Sequence, residues 1–119
     1  MKDTISISLY CIAENATIAD ALTVITENKR GCVIVISDQG ALLGILSDGD
    51  IRRALVRGAM ELTPILKILN PNVLSLNRSA VSAQESKKIF SEHPEINLIP
   101  ILDVGNVVTD VIARGEETT

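Results

Sequence analysis

Two hydrophobic periods alternate along this chain and then repeat. Ile18, Ala21, Leu22 and Ile25 recur at helical spacing, which predicts an amphipathic helix opening at Thr17. Thr17 and Asp20 stand three apart, the spacing of a capping box. Gly31 marks the predicted end of that helix, with Lys29 and Arg30 in its last turn. Cys32 to Ile36 is an unbroken β-branched run, short enough for a buried strand. Asp38-Gln39-Gly40 reads as a turn and Leu42 to Leu46 as the returning strand of a hairpin. A helix over Asp48 to Arg57 follows, stopped by Gly58, and Pro64 to Leu69 has room for a short helix. At the start, Ile5, Ile7 and Leu9 alternate with Ser6, Ser8 and Tyr10, which predicts a short strand or an extended lead-in.

The same order then recurs. Val73 to Leu76 reads as a short strand, Ser82 to about Glu92 as a helix with Ile89 and Phe90 inward, and His93-Pro94 as its stop. Asn97 to Leu102 and Asn106 to Ile112 repeat the hairpin. Ser82 and Glu85 repeat the hydroxyl and carboxylate of Thr17 and Asp20, 65 positions on. The same offset superposes Ile34 on Ile99, Ile36 on Ile101, and Asp38-Gln39-Gly40 on Asp103-Val104-Gly105. The chain is therefore read as two copies of a helix–strand–strand–helix unit, residues 1–69 and 70–119. The expected fold class is α/β (α+β), with two tandem repeats packed sheet to sheet and a ligand cleft between them. The second repeat is expected to be truncated, since little of this sequence remains for its final helix. The polar stretch from Arg114 to Thr119 is expected to be a disordered tail.

Composition narrows the function. A length of 119 residues suits one compact domain. Tyr10 and Phe90 are the only aromatic residues, so the core must be aliphatic. The net charge of −4 and the lack of stacking rings argue against nucleic acid as a partner. No apolar run reaches the roughly 20 residues that span a bilayer. The first residues lack the shape of an export signal, so the expected location is cytoplasmic. Cys11 and Cys32 have no metal-ligand spacing and read as reduced packing thiols. A mean hydropathy of +0.30 suggests apolar surface kept for a partner.

The chemistry concentrates at Gly44-Ile45-Leu46-Ser47-Asp48-Gly49-Asp50, where a predicted strand enters a predicted helix. Ser47 and Asp50 form a second capping box, and Asp48 with Arg52 a helical surface pair. The same groups could clamp a ligand. Free N–H groups at a helix start favour an anion, Ser47 adds a hydroxyl donor, and Asp50 can accept from vicinal ribose hydroxyls. Gly44 and Gly49 would let the backbone approach a ligand closely. Arg53 and Arg57, one turn apart, repel each other unless an anion lies between them, so they are second-rank phosphate contacts. Arg52 reads as a solvated face. His93, the only histidine, reads as a loop or cap residue. Asp48 and Asp50 could suggest magnesium or phosphate-ester hydrolysis, but they read better as caps, and no metal site is expected. No zinc spacing, Gly-rich phosphate loop or nucleophile motif is present.

The duplication, the element order and the string Gly44-x-hydrophobic-Ser47-x-x-Asp50 resemble a pair of CBS domains, named after cystathionine β-synthase. Ser47 to Leu55, with Arg57-Gly58 and Thr63-Pro64 after it, resembles pairs attached to sugar-nucleotide nucleotidyltransferases. A similar string occurs in pairs appended to sugar-phosphate isomerases. The resemblance implies a regulatory module without catalysis or a required cofactor, holding an adenine nucleotide such as AMP, ADP or ATP. It implies Ser47 at the phosphate, Asp50 at the ribose with Asp48 beside it, and Ile45 and Leu46 along the purine. The facing wall would come from Ile96, Asn97 and Leu98. It further implies a homodimer and a fused or partner catalytic domain. A purely structural dimerisation module is the alternative. Under the 65-residue offset Ile112, Gly115 and Thr109 replace Ser47, Asp50 and Gly44, so a single nucleotide site per chain is expected.

Overall fold

The structure, a computed structural model, describes residues 4–116. Its elements are α1 (Thr4–Tyr10), β1 (Cys11–Ala13), α2 (Ile18–Asn28), β2 (Cys32–Ile36), β3 (Leu42–Ser47) and α3 (Asp48–Val56). A 3₁₀ turn over Ile65–Lys67 leads to β4 (Leu76–Asn77), α4 (Ala83–Glu92), β5 (Leu98–Leu102) and β6 (Val108–Ala113). Two three-stranded sheets result, ordered β1-β2-β3 and β4-β5-β6. In each, the first strand runs parallel to the second and the hairpin is antiparallel. This is the expected mixed α and β architecture of two similar units, with β1 and β4 added as edge strands.

Period-two alternation along β2 explains its unbroken apolar run. Val33 and Val35 face a core shared with Ile18, Ala21 and Ile25 of α2, Ile51 of α3 and Ile65. Cys32 and Ile34 face the opposite way, into a second core with Leu98, Val108, Val111 and Ala113 of the other unit. A strand buried on both faces needs no polar side chain. The second core is the sheet-to-sheet interface.

Several local expectations change. The alternation before Tyr10 is helical: α1 places Ile7 and Tyr10 on one face against the inter-sheet core. A short alternating window does not separate strand from helix, and packing decides. Asn28 ends α2, earlier than Gly31, with Lys29 left-handed at φ 59°. The side-chain amide of Asn28 is buried and donates to the carbonyls of Leu9 and Cys32, tying α1 and β2 to the helix end. The strand expected at residues 73–76 is only Leu76–Asn77. Arg114 to Glu116 is an ordered, hydrogen-bonded segment and not a loose tail. Residues 117–119 lie outside the described residues.

The repeat offset also changes. Both hairpins show the same two-strand register, the same break and the same burial of the central strand, but 66 positions apart: β2 Cys32–Ile36 corresponds to β5 Leu98–Leu102. The amide of Ser37 bonds the carbonyl of Ala41 as Asp103 bonds Val107. The left-handed turn residue Gly40 corresponds to Asn106, φ 83° against 68°. The second helix ends one residue sooner and its connection to the hairpin is two residues longer. Ser47, Asp50 and Gly44 thus correspond to Ala113, Glu116 and Asp110, and not to Ile112, Gly115 and Thr109.

Candidate functional site

A cleft of about 550 Å³ opens between the two units, bordered by the end of β3, the segment after the 3₁₀ turn and the loop before β5. Its first side is the β3–α3 junction. Ser47 has extended backbone, φ −97° and ψ 162°, and caps α3. Its Oγ accepts from the Asp50 amide at 3.0 Å, and Oδ2 of Asp50 accepts from the Ser47 amide at 3.0 Å. Arg53 donates to Oδ1 of Asp50 at 2.7 Å. The capping box is therefore formed, and each Asp50 oxygen keeps a further lone pair. Burial by itself would raise the Asp50 carboxyl. The amide and hydroxyl of Ser47 and the Arg53 guanidinium outweigh it and hold the group below the usual value. Asp50 is thus an anion at neutral pH.

The second side is built by a close backbone approach. Asn70 pairs with Ile45 through both backbone bonds, 2.8 and 3.0 Å, and lies beside β3 like an extra strand. Gly44 permits this, since a Cβ there would stand 2.5 Å from the Asn70 carbonyl oxygen. Its role is to admit the chain's own backbone, where the sequence suggested a ligand. From this segment Asn70, Asn72, Val73 and Leu74 reach the cleft.

The third side is the loop 93–97, and Arg114 shapes it. The Arg114 guanidinium donates to the carbonyls of Phe90 (3.0 Å), His93 (2.8 Å) and Ile96 (3.1 Å) and lies 4.8 Å above the Phe90 ring. Arg30 donates to the Arg114 carbonyl at 2.7 Å, and the Asn97 side chain donates to the Arg30 carbonyl at 3.0 Å. This lattice presents His93, Glu95, Ile96 and Asn97 to the cleft. Sequence reading assigned Arg114 to a loose tail, because hydrogen bonds to distant carbonyls leave no periodic trace. At the base, burial pushes the Cys32 thiol up to about 11, against a smaller opposing influence from Arg30, so it is neutral.

Six of the proposed ligand residues, Ile45, Ser47, Asp50, Ile96, Asn97 and Leu98, line this cleft together. Leu46 does not: it is fully buried in the core on the α2 side. Adjacent strand residues point to opposite faces, so Ile45 and Leu46 cannot both line one cleft. Asp48 faces solvent and pairs with Arg52 at 3.6 Å. Arg53 and Arg57 line a neighbouring depression that shares Asp50 with the cleft. Among the described residues, no group of three or more His, Cys, Asp or Glu could hold a metal ion. No described helix is long and apolar enough to cross a membrane.

At the corresponding positions of the second unit the hydroxyl is missing and the acid is half-exposed in an ion pair. Glu116, the counterpart of Asp50, accepts from Tyr10 Oη at 3.3 Å and from Arg30 Nη2 at 3.3 Å. Ala113 stands where Ser47 would.

The family model of the CBS domain matches residues 2–57. The chain is 28% identical over 117 residues to the CBS domain-containing protein YhcV of Bacillus subtilis, covering 98% of this chain and 81% of that one. Other curated relatives are longer. The chain spans 29% of arabinose 5-phosphate isomerase GutQ of Salmonella typhi, at 28% identity over 81% of its own length. Among solved structures, a putative acetoin utilization protein (AcuB) from Vibrio cholerae superposes with a TM-score of 0.78 at 21% identity, covering 90% of this chain and 78% of that one. CBSX2 in complex with AMP superposes with a TM-score of 0.72 at 18% identity, covering 91% and 83%.

Proposed function

A pair of CBS-type units is what the family model and the structural neighbours support, and on that premise we propose a regulatory module that binds an adenine nucleotide in the cleft between its units. The observation that carries this reading is the cleft, where Ser47 and Asp50 stand at a helix start, opposite aliphatic Ile96 and Leu98. Ser47 and the Gly49 amide at the start of α3 would meet phosphate, Asp50 the ribose hydroxyls, and Ile45 with Ile96 and Leu98 the base. Cleft walls come from both units, so a ligand there would favour one relative arrangement of them. It could shift a partner's state only by its difference in affinity for the two arrangements. The structure of CBSX2 with AMP, a protein of the same fold, supports the ligand class. We propose no catalytic role for the chain. The controlled partner would be a fused or separate enzyme handling sugar nucleotides or sugar phosphates, the latter supported by the similarity to GutQ. A cytoplasmic setting, where adenine nucleotides are plentiful, goes with this reading.

Calorimetric titration with AMP, ADP and ATP tests it. Saturable heat with at least one nucleotide is expected, and the absence of both heat and thermal shift with all three would remove the reading.

A second reading, a homodimer-forming module without ligand, has its own support. Val56 at the end of α3 and Met60 and Leu62 in the loop after it are exposed at 84%, 72% and 78%. Light scattering on the wild type and on a Val56→Lys, Leu62→Lys variant tests it. A dimer that turns monomeric, with no nucleotide binding by either, would favour this reading.

A further inference from the structure

Beside the cleft lies a depression of about 420 Å³, lined by Arg53, Arg57, Lys67 and Thr63, and joined to the cleft through Asp50. Three cations there face a single carboxylate, which Arg53 already engages at 2.7 Å. Arg57 and Lys67 are exposed and form no ion pair among the described residues. The Thr63 hydroxyl accepts from the Met60 amide at 2.8 Å, which leaves its proton to donate. This local excess of positive charge stands out on a chain whose net charge is −4. Like charges gathered on one rim repel, and an anion between them relieves the repulsion.

We infer that this depression is a polyphosphate seat, and that the nucleotide taken by the cleft is an adenosine di- or triphosphate in preference to the monophosphate. The inference rests on the reading of the cleft as an adenosine site. A ribose held at Asp50 stands on the wall common to both cavities. Its first phosphate falls to Ser47 and the Gly49 amide. Further phosphates then extend along the Asp50 side of α3 toward Arg53, Arg57 and Lys67, one helical turn separating the two arginines. Arginine forks and a lysine point charge suit phosphate oxygens, and Thr63 supplies a neutral donor. The cations do for the outer phosphates what magnesium otherwise does, so no metal is needed for the preference.

The test is calorimetric titration of the full chain with AMP and with ATP, magnesium-free, at two salt concentrations. It is repeated on an Arg57→Gln, Lys67→Gln variant. Both side chains are exposed, so the variant keeps its fold, which circular dichroism verifies. The wild type is expected to bind ATP at least about tenfold more tightly than AMP, with the gap narrowing at higher salt. In the variant, ATP falls to the AMP level and AMP is unchanged. Equal affinity of the wild type for AMP and ATP overturns the seat while leaving the adenosine cleft standing, as does a variant that weakens AMP as much as ATP. Binding of neither nucleotide by the wild type overturns the cleft reading and the seat together.

Discussion

The hairpins of the two units share one strand register and diverge where they end. After β3 the chain presents Ser47 and Asp50 to a cleft of about 550 Å³. After β6 the chain turns at Gly115, φ 94°, where its counterpart Gly49 lies in α3, and Glu116, 66 positions after Asp50, is bonded by the chain's own Tyr10 and Arg30. Both acids have internal partners, Ser47 and Arg53 for Asp50, Tyr10 and Arg30 for Glu116; the difference is that Asp50 lines the cleft beside a hydroxyl and Glu116 does not line it. Two units offer two such positions, and only the first sets a hydroxyl beside the acid, Ser47 with Asp50 against Ala113 with Glu116.

The largest expected effect separates the two faces of β3. Leu46→Ala removes a fully buried side chain and should cost about 2–5 kcal/mol in chemical denaturation. Ile45→Ala, one residue away on the cleft face, should cost far less stability and weaken nucleotide binding instead. A Leu46→Ala variant of near wild-type stability would contradict the assignment of faces.

Next comes the comparison of the two acids. Asp50→Ala should lower nucleotide affinity by about tenfold or more, the loss of a hydrogen bond to a charged group, and lower stability by about 1 kcal/mol through the lost cap. Glu116→Ala should leave nucleotide affinity alone and change stability by about 0–1 kcal/mol, as for an exposed ion pair. Parallel titrations and melts of the two variants distinguish them.

Arg114→Lys keeps the charge and loses the fork that gathers three carbonyls. It should weaken nucleotide binding several-fold by loosening the loop 93–97. Added ethylguanidinium should restore part of the affinity to Arg114→Ala, an effect that a general loss of stability would not show. Amide exchange in residues 93–97 checks the same point directly.

The smallest effect concerns pH. The Asp50 carboxyl is held below its ordinary value, so it stabilises the fold above the ordinary carboxylate pKa of about 4. That contribution is lost as pH falls through the lower, folded value. The stability gap between wild type and Asp50→Asn should be constant near neutrality and close in acid. A gap that widens toward acid would contradict the hydrogen-bonding scheme.

Much of the frame was legible in the residues. The hydroxyl–carboxylate spacing marked the starts of α2 and α3, and the unbroken run Cys32–Ile36 announced a strand buried on both sides. Other features carried no such trace. Six residues at the start, Ile5 to Tyr10, alternate like a strand but belong to α1, because Tyr10 and Ile7 meet the inter-sheet core. Matching Asp38 to Asp103 hid a change in loop length that only strand register shows. That one-residue difference turned the counterpart of Asp50 from glycine into Glu116. Within the cleft, Ser47 and Asp50 were recognisable as a motif. Asn70, Asn72 and the loop placed by Arg114 were not, because their positions follow from packing between distant segments. Gly44 was visible as a special position, but its partner, the Asn70 carbonyl, was not.

The most direct test of one open site per chain is the stoichiometry of nucleotide binding. Titration calorimetry on the wild type should give one nucleotide per chain, with Asp50→Ala sharply weakened and Glu116→Ala unchanged. Two nucleotides per chain, or binding that survives Asp50→Ala and is lost in Glu116→Ala, would contradict the account.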